Sequence, residues 1–124
     1  SKEVFKGVFD NNSTGIYDSV VVVKEGAQNA STLQKNNNIL LSQKATVNSN
    51  PKLEIFTDQV ECSHGSTTGQ LDDDALFYLR SRGVSLKQAY GLLLVSFLGE
   101  VLENIEDSAV LKSVESNLKK LINP

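Results

Sequence analysis

The residue pattern of this chain changes once, between Gly69 and Leu71, and that change limits the fold more than any other feature. Before it, apolar residues come in short bursts at 4–9, 20–23, 39–41, 45–47, 53–56 and 60–62. Each is strand length, and none keeps a helical period over ten residues. After it, apolar positions recur every three or four residues. At 124 residues and 40% apolar, the chain supports one ordinary domain or one piece of a larger one. Strands first and helices second make a β plus α organisation, with a β region over 1–70 and a helical region over 71–124.

The turn formers Asn11-Asn12-Ser13-Thr14-Gly15, Gly26, Asn36-Asn37-Asn38 and Ser49-Asn50-Pro51 predict turns between the bursts. A faint repeat runs through the same half. Leu40-Leu41, Ala45 and Val47 align with Ile55-Phe56, Val60 and Cys62 at an offset of fifteen, and Val22-Val23 and Ala27 fit the same frame at eighteen. Repeats of this kind suggest stacked coils of a parallel β-helix, in which no coil buries its faces alone. That frame sets Cys62 one coil after Val47, facing the interior with His64, while Glu61 and Ser63 face outward. An antiparallel sandwich has similar short strands, and spacing leaves both architectures open.

The helical half reads as three helices at about 72–82, 86–104 and 108–122. Asp72 is the expected N-cap of the first, with Asp73 and Asp74 at the positive end of its dipole. Ala75, Leu76, Phe77 and Leu79 form its buried side, Arg80 and Arg82 its last turn, and Gly83 its left-handed stop. Ser85 and Gln88 spell a capping box for the second. Apolar residues cover more than half its circumference, where a surface helix needs only about a 100° stripe, so two of its sides should be covered. The third carries a single stripe of Val110, Leu111, Val114, Leu118, Leu121 and Ile122, with Lys119 and Lys120 near its negative end and Asn123-Pro124 closing it.

The only cysteine and the only histidine, Cys62 and His64, sit two apart in a strand-like stretch. On a strand their side chains share a face, about 6–7 Å apart. A Cys–His nucleophile pair needs hydrogen-bond reach between imidazole and sulfur, which parallel side chains at that separation make awkward. A zinc site needs three or four protein ligands, and this chain offers two of the soft N/S kind. A composite site completed by another subunit fits, and so does an inert buried cysteine beside a hydrogen-bonded core histidine.

The acidic run 72–74 is explained by a helix N-terminus rather than a cation, and Arg80 and Arg82 by a helix end rather than a phosphate. The Gly65–Gly69 stretch lacks the lysine of a P-loop. Gly91 and Gly99 each cost about 1 kcal/mol inside a helix, a cost usually offset by close packing within the domain or against a partner. A net charge of −3 with no basic patch argues against nucleic acid. The longest apolar runs are too short to span a bilayer. A lone cysteine excludes an internal disulfide and suits a reducing compartment. The chain opens Ser1-Lys2-Glu3-Val4 and contains no Met, as expected of a piece of a longer protein whose first strand has neighbours elsewhere.

The stretch from Cys62-Ser-His-Gly through Leu76-Phe-Tyr-Leu-Arg-Ser-Arg-Gly83 resembles the C-terminal signature of the D-subunit (SufD) family of the Suf iron–sulfur cluster assembly complex. Phe5-Lys-Gly-Val-Phe9, Gln34 to Ser42 and Pro51 to Phe56 resemble that family's last β-helix coils. The likeness spans nearly the whole chain and is weakest after Ile105. The B-type paralogue typically reads His-Glu-Ala-Thr where this chain has His64-Gly-Ser-Thr.

The resemblance implies the last coils of a right-handed parallel β-helix followed by a small helical domain. It implies a non-enzymatic scaffold that pairs with the B subunit through the β-helix end and docks the C-subunit ATPase on its helices. His64 then matches the histidine of the nascent cluster site, a metal-facing residue, with Cys62 its neighbour. No cofactor is expected to stay bound to this stretch alone, only a transient iron–sulfur cluster in the full complex. The helical pair 71–105, with Glu100 taken as exposed and Gly91 and Gly99 on the same helix, is the expected ATPase docking surface. The unpaired edge at Val60–His64 is expected to allow homodimers. The implied location is cytoplasmic, or plastid in a plastid-bearing source. Competing readings are a B-type scaffold and a stand-alone thiol or metal enzyme using Cys62 and His64.

Overall fold

The computed structural model describes residues 1–122, with side chains to residue 120. The chain divides into two compact units, Ser1–Gln70 and Leu71–Pro124. The first holds five strands: β1 (Lys2–Phe9), β2 (Thr14–Val23), β3 (Ala30–Leu40), β4 (Thr46–Ile55) and β5 (Val60–Gly69). Successive strands alternate between two sheets, β1-β3-β5 and β2-β4. Every pairing is parallel, which rules out an antiparallel sandwich.

Lys2 lies beside Leu33, Thr14 beside Thr46 and Ala30 beside Val60, so a strand returns to its own sheet after 30 to 32 residues. The fifteen-residue repeat is therefore a half-coil. It relates a strand of one sheet to the next strand of the other, and Cys62 lies beside Thr32, not Val47.

Two predicted turns are strand. Asn36-Asn37-Asn38 lies within β3, and Ser49-Asn50-Pro51 within β4. Asparagine favours turns because its amide bonds nearby backbone. Here the amides bond other side chains instead: Asn38 Nδ2 donates to Asn36 Oδ1 (2.8 Å), and Ser49 Oγ donates to the same oxygen (2.7 Å). Pro51 is tolerated because β4 is an edge strand. The Gly- and Thr-rich stretch 65–69 is likewise strand, the second half of β5. Real turns fall at Asn11 (φ 55°), Gly26 (φ 88°) and Asn29 (φ 59°). At the first, the Asp10 carboxylate accepts from Asn11 N (2.7 Å), and Asp10 O accepts from Ser13 N (3.1 Å).

Inner positions of the first sheet run in rows across its strands: Glu3–Gln34–His64, Phe5–Asn36–Ser66 and Gly7–Asn38–Thr68. Gln34, Asn36 and Asn38 are buried at 2%, 3% and 5% exposure, beside an apolar core that includes Val23, Ile39 and Ala45. Phe5 meets Tyr17 at 5.1 Å between ring centroids.

The second unit holds α1 (Asp73–Ser81), α2 (Leu86–Leu102) and α3 (Ser108–Ile122). Asp72 caps α1, accepting from Asp74 N (2.9 Å) and Ala75 N (3.2 Å). Gly83 at φ 87° reverses the chain, with Gly83 N donating to Arg80 O and Val84 N to Leu79 O. Both halves of the Ser85–Gln88 capping box are formed. Asp107 caps α3 through Ala109 N (2.8 Å) and Val110 N (3.0 Å).

The centre of α2 is buried at Ala89, Gly91 and Leu94, while Leu86, Leu92 and Val95 are exposed. The helix stops at Leu102, two residues short of the predicted end, where Asn104 Nδ2 donates to Glu100 O (2.9 Å). Phe77, assigned to the buried side of α1, is 76% exposed. It lies about 100° around the helix from Leu76, off the half-buried side made by Ala75, Leu76 and Leu79. Of the α3 stripe, Leu111, Val114 and Leu118 are half-buried and Val110 is exposed. The side chains of Leu121 and Ile122, and Asn123-Pro124, lie outside the described residues. Among the described residues no helix is long and apolar enough to cross a membrane.

Candidate functional site

Both residues singled out for chemistry stand on β5, and strand alternation puts them on one face, the inner one. Their row neighbours on β3 are Thr32 for Cys62 and Gln34 for His64. β5 is an edge strand of its three-stranded sheet, and β4 of the second sheet approaches it at Ser49, whose hydroxyl meets that of Ser66. The inner row of β5 is nevertheless largely open to solvent. Cys62 is half-buried, and His64, Ser66 and Thr68 are exposed. His64 is exposed, so within the described residues it is not buried as a core histidine. Two donors, a thiol and an imidazole, are thus presented side by side at an open end of a sheet.

Polar side chains connect this open row to the interior. Ser66 Oγ donates to Ser49 Oγ (2.8 Å), and Ser49 Oγ to Asn36 Oδ1 (2.7 Å). Next to it, Gln34 Oε1 accepts from Ser19 Oγ (2.9 Å), and Gln34 Nε2 donates to Glu3 Oε2 (3.1 Å). A buried amide without partners would cost about 1–3 kcal/mol, so these bonds are what makes a polar interior tolerable. Sequence reasoning missed Gln34, Asn36, Ser49 and Ser66. The available signal was the period-two spacing of Gln34, Asn36 and Asn38, which marks one face of a strand as well as apolar alternation does.

Among the described residues no three His, Cys, Asp or Glu side chains gather where they could hold a metal ion. Cys62 and His64 therefore supply at most part of a ligand set, and any ion or cluster there needs ligands from elsewhere.

Residues 1–97 match the family model described as SUF system FeS cluster assembly, SufBD core domain. That match covers all five strands, α1 and most of α2. The chain belongs to the SufBD family. An iron–sulfur cluster assembly SufBD family protein of Synechocystis is 37% identical over 123 residues, covering 99% of this chain and 26% of that protein. The SufD protein of Escherichia coli is 32% identical over 114 residues, covering 92% of this chain and 27% of the relative. A chloroplastic protein of Arabidopsis thaliana is 33% identical over 123 residues, covering 98% and 26%. The resemblance to the C-terminal part of SufD is thus supported by relatives of that name, and the chain spans about a quarter of their length.

Within this SufBD segment the three helix positions assigned to docking differ in setting. Gly91 is buried in α2 and lies inside the family match. Gly99 and Glu100 are half-buried and lie beyond it. Glu100 is therefore not the exposed residue its sequence position suggested. A Cβ placed at Gly99 would meet nothing within 4 Å, so close packing inside this unit does not account for that glycine.

Proposed function

We propose that this chain is the cluster-facing end of a non-enzymatic, D-type scaffold subunit in iron–sulfur cluster assembly. The observation that carries the reading is the solvent-open inner row of β5, the edge strand on which a SufBD chain presents Cys62 and His64 side by side. Thiolate and imidazole are both ligands for iron in sulfide clusters. With two donors only, the site is completed by the B subunit, whose β-helix end meets this one. The nascent cluster is cargo, held transiently at that junction. His64 is its ligand or positioning residue, and Cys62 a junction residue with a secondary ligand role. The alternating parallel strands, returning after 30 to 32 residues, support the last coils of a right-handed β-helix. The setting is cytoplasmic, or plastid in a plastid-bearing source.

The test is His64→Ala in the full-length protein, followed first through assembly with its partners and then through cluster formation. The expected outcome is an intact complex with sharply reduced cluster yield. Unchanged yield would make His64 structural, and loss of the complex would assign it to holding the junction.

The C-subunit ATPase docks on α2, the helix that carries Gly91, Gly99 and Glu100. Supporting this, Leu86, Leu92 and Val95 of α2 remain exposed although apolar. Leu92→Glu, at 54% exposure, should weaken ATPase binding in pull-down or calorimetry while leaving the helical content unchanged. Full affinity in that variant would place the docking surface elsewhere.

A further inference from the structure

Four polar side chains form a hydrogen-bonded chain that starts on the buried middle strand and ends on the open row of β5: Asn38, Asn36, Ser49 and Ser66. We propose that this chain fixes Ser66 as a hydrogen-bond acceptor toward the junction, so that the subunit pairing with this end presents a side-chain N–H or O–H donor there. The inference rests on the reading of the β5 end as the junction and adds the chemistry that the partner brings to it.

The direction of the chain is set at Asn36. A backbone carbonyl only accepts, and Asn36 Nδ2 donates to Phe5 O at 3.5 Å. That contact assigns the nitrogen of the amide and with it the oxygen. Asn36 Oδ1 accepts from Asn38 Nδ2 at 2.8 Å and from Ser49 Oγ at 2.7 Å, and these two donors fill its two lone pairs. Ser66 Oγ stands 3.5 Å from the same oxygen, too far to displace either. Asn36 and Asn38 are 3% and 5% exposed, and turning one of them over would set like ends of the two amides against each other.

A hydroxyl has one proton. Ser49 gives its proton to Asn36, so toward Ser66 it only accepts. Ser66 Oγ donates to Ser49 Oγ at 2.8 Å, and its own proton is thereby committed. What remains on the Ser66 oxygen is lone-pair capacity, and Ser66 is exposed, so that capacity is offered to whatever covers the row. The row runs Phe5–Asn36–Ser66 and reaches the edge of the sheet at β5. Its next place belongs to the strand that pairs with β5, about 4.8 Å away, and in-register side chains on neighbouring strands interact across that gap. A donor at that place completes Ser66. A carboxylate there would face lone pairs, and relief would require Ser66 to turn its proton outward and abandon Ser49. A buried amide thus sets the polarity of an exposed hydroxyl, and wrong partners are disfavoured as well as the right one favoured.

The experiment measures the affinity of the full-length protein for its pairing subunit by calorimetry. Ser66→Ala removes the acceptor and should weaken pairing about fivefold, the equivalent of one hydrogen bond. Ser66→Thr keeps the hydroxyl and should pair as the wild type does. Ser66→Asp decides the sign, because a carboxylate accepts and does not donate. It should pair more tightly than Ser66→Ala, and equal or weaker pairing overturns the proposal. Wild-type affinity in Ser66→Ala overturns it too. A merely structural role for Ser66 would lower the unfolding midpoint of both variants without separating their affinities. Ser49→Ala is a second check that leaves Ser66 in place. It releases the Ser66 proton, which a donor opposite cannot use, so the affinity should not rise. A rise would reveal an acceptor on the partner and overturn the proposal. The junction reading fails separately, through undiminished pairing in Thr68→Lys, whereas weakened pairing there with unchanged pairing in Ser66→Ala removes only this inference.

Discussion

Phe9 shows how far a single side chain constrains its neighbours. Its ring lies over two backbone positions, so that a Cβ at Gly15 would stand 2.2 Å from it and one at Gly7 2.5 Å. Neither glycine has a left-handed backbone among the residues with positive φ, so the requirement there is space and not conformation. Gly15→Ala must displace an aromatic ring wedged between two strands, and overpacking of this kind costs about 1–3 kcal/mol. Thermal unfolding of the full-length protein should register the loss, and an unchanged midpoint would mean that the ring moves freely. The same scale explains the polar interior. Asn36 Oδ1 accepts from Asn38 Nδ2 and Ser49 Oγ, so one amide organises two neighbours.

At the scale of the element, helix ends follow local chemistry closely. Asp72, Ser85 and Asp107 each accept backbone N–H at the start of a helix, satisfying donors that have no partner within the helix. Asp107 adds a pH dependence. The N–H groups of Val110 and Ala109 hold its carboxyl below the ordinary value of 3.8. Since the folded value is depressed, the contribution is complete above 3.8 and disappears as pH falls through the lowered folded value. Hydrogen exchange at the first turn of α3 should therefore accelerate in that acidic window, beyond the intrinsic pH effect. Asp107→Asn should remove the dependence, because an amide does not titrate. Equal pH profiles in the two proteins would show that the carboxylate does not hold the turn.

For the whole molecule, the decisive feature is the mismatch between three strands in one sheet and two in the other. β5 has β3 on one side and an open edge on the other, and open edges recruit strands from other chains. Thr68 is exposed on the inner row of β5. Thr68→Lys should leave the stability of the single chain within about 0.5 kcal/mol, as expected for a surface change. It should also suppress both self-association and pairing with the B subunit. Sedimentation of the variant alone and with its partner checks both, and undiminished association would move the contact away from this row.

Helix boundaries were legible in the sequence because caps act over three or four residues: Asp72, Gly83, Ser85 and Gln88 each do locally what their residue types predict. The pairing of Cys62 with His64 on one strand face was legible for the same reason, since alternation is a property of consecutive residues. What the local pattern could not supply was the length of the coil. The fifteen-residue repeat is real, but only pairing across 30 to 32 residues decides that it joins two sheets and not two neighbours of one. Nor could it supply the fate of polar runs. Asn36-Asn37-Asn38 and Ser49-Asn50-Pro51 carry turn propensity, and the fold overrides it because partners distant in sequence offer their side chains better bonds than the local backbone does. The exposure of His64 and the burial of Gln34 are likewise tertiary outcomes. Both occupy inner positions of equal rank, but Gln34 stands on the middle strand of its sheet and His64 on the edge strand.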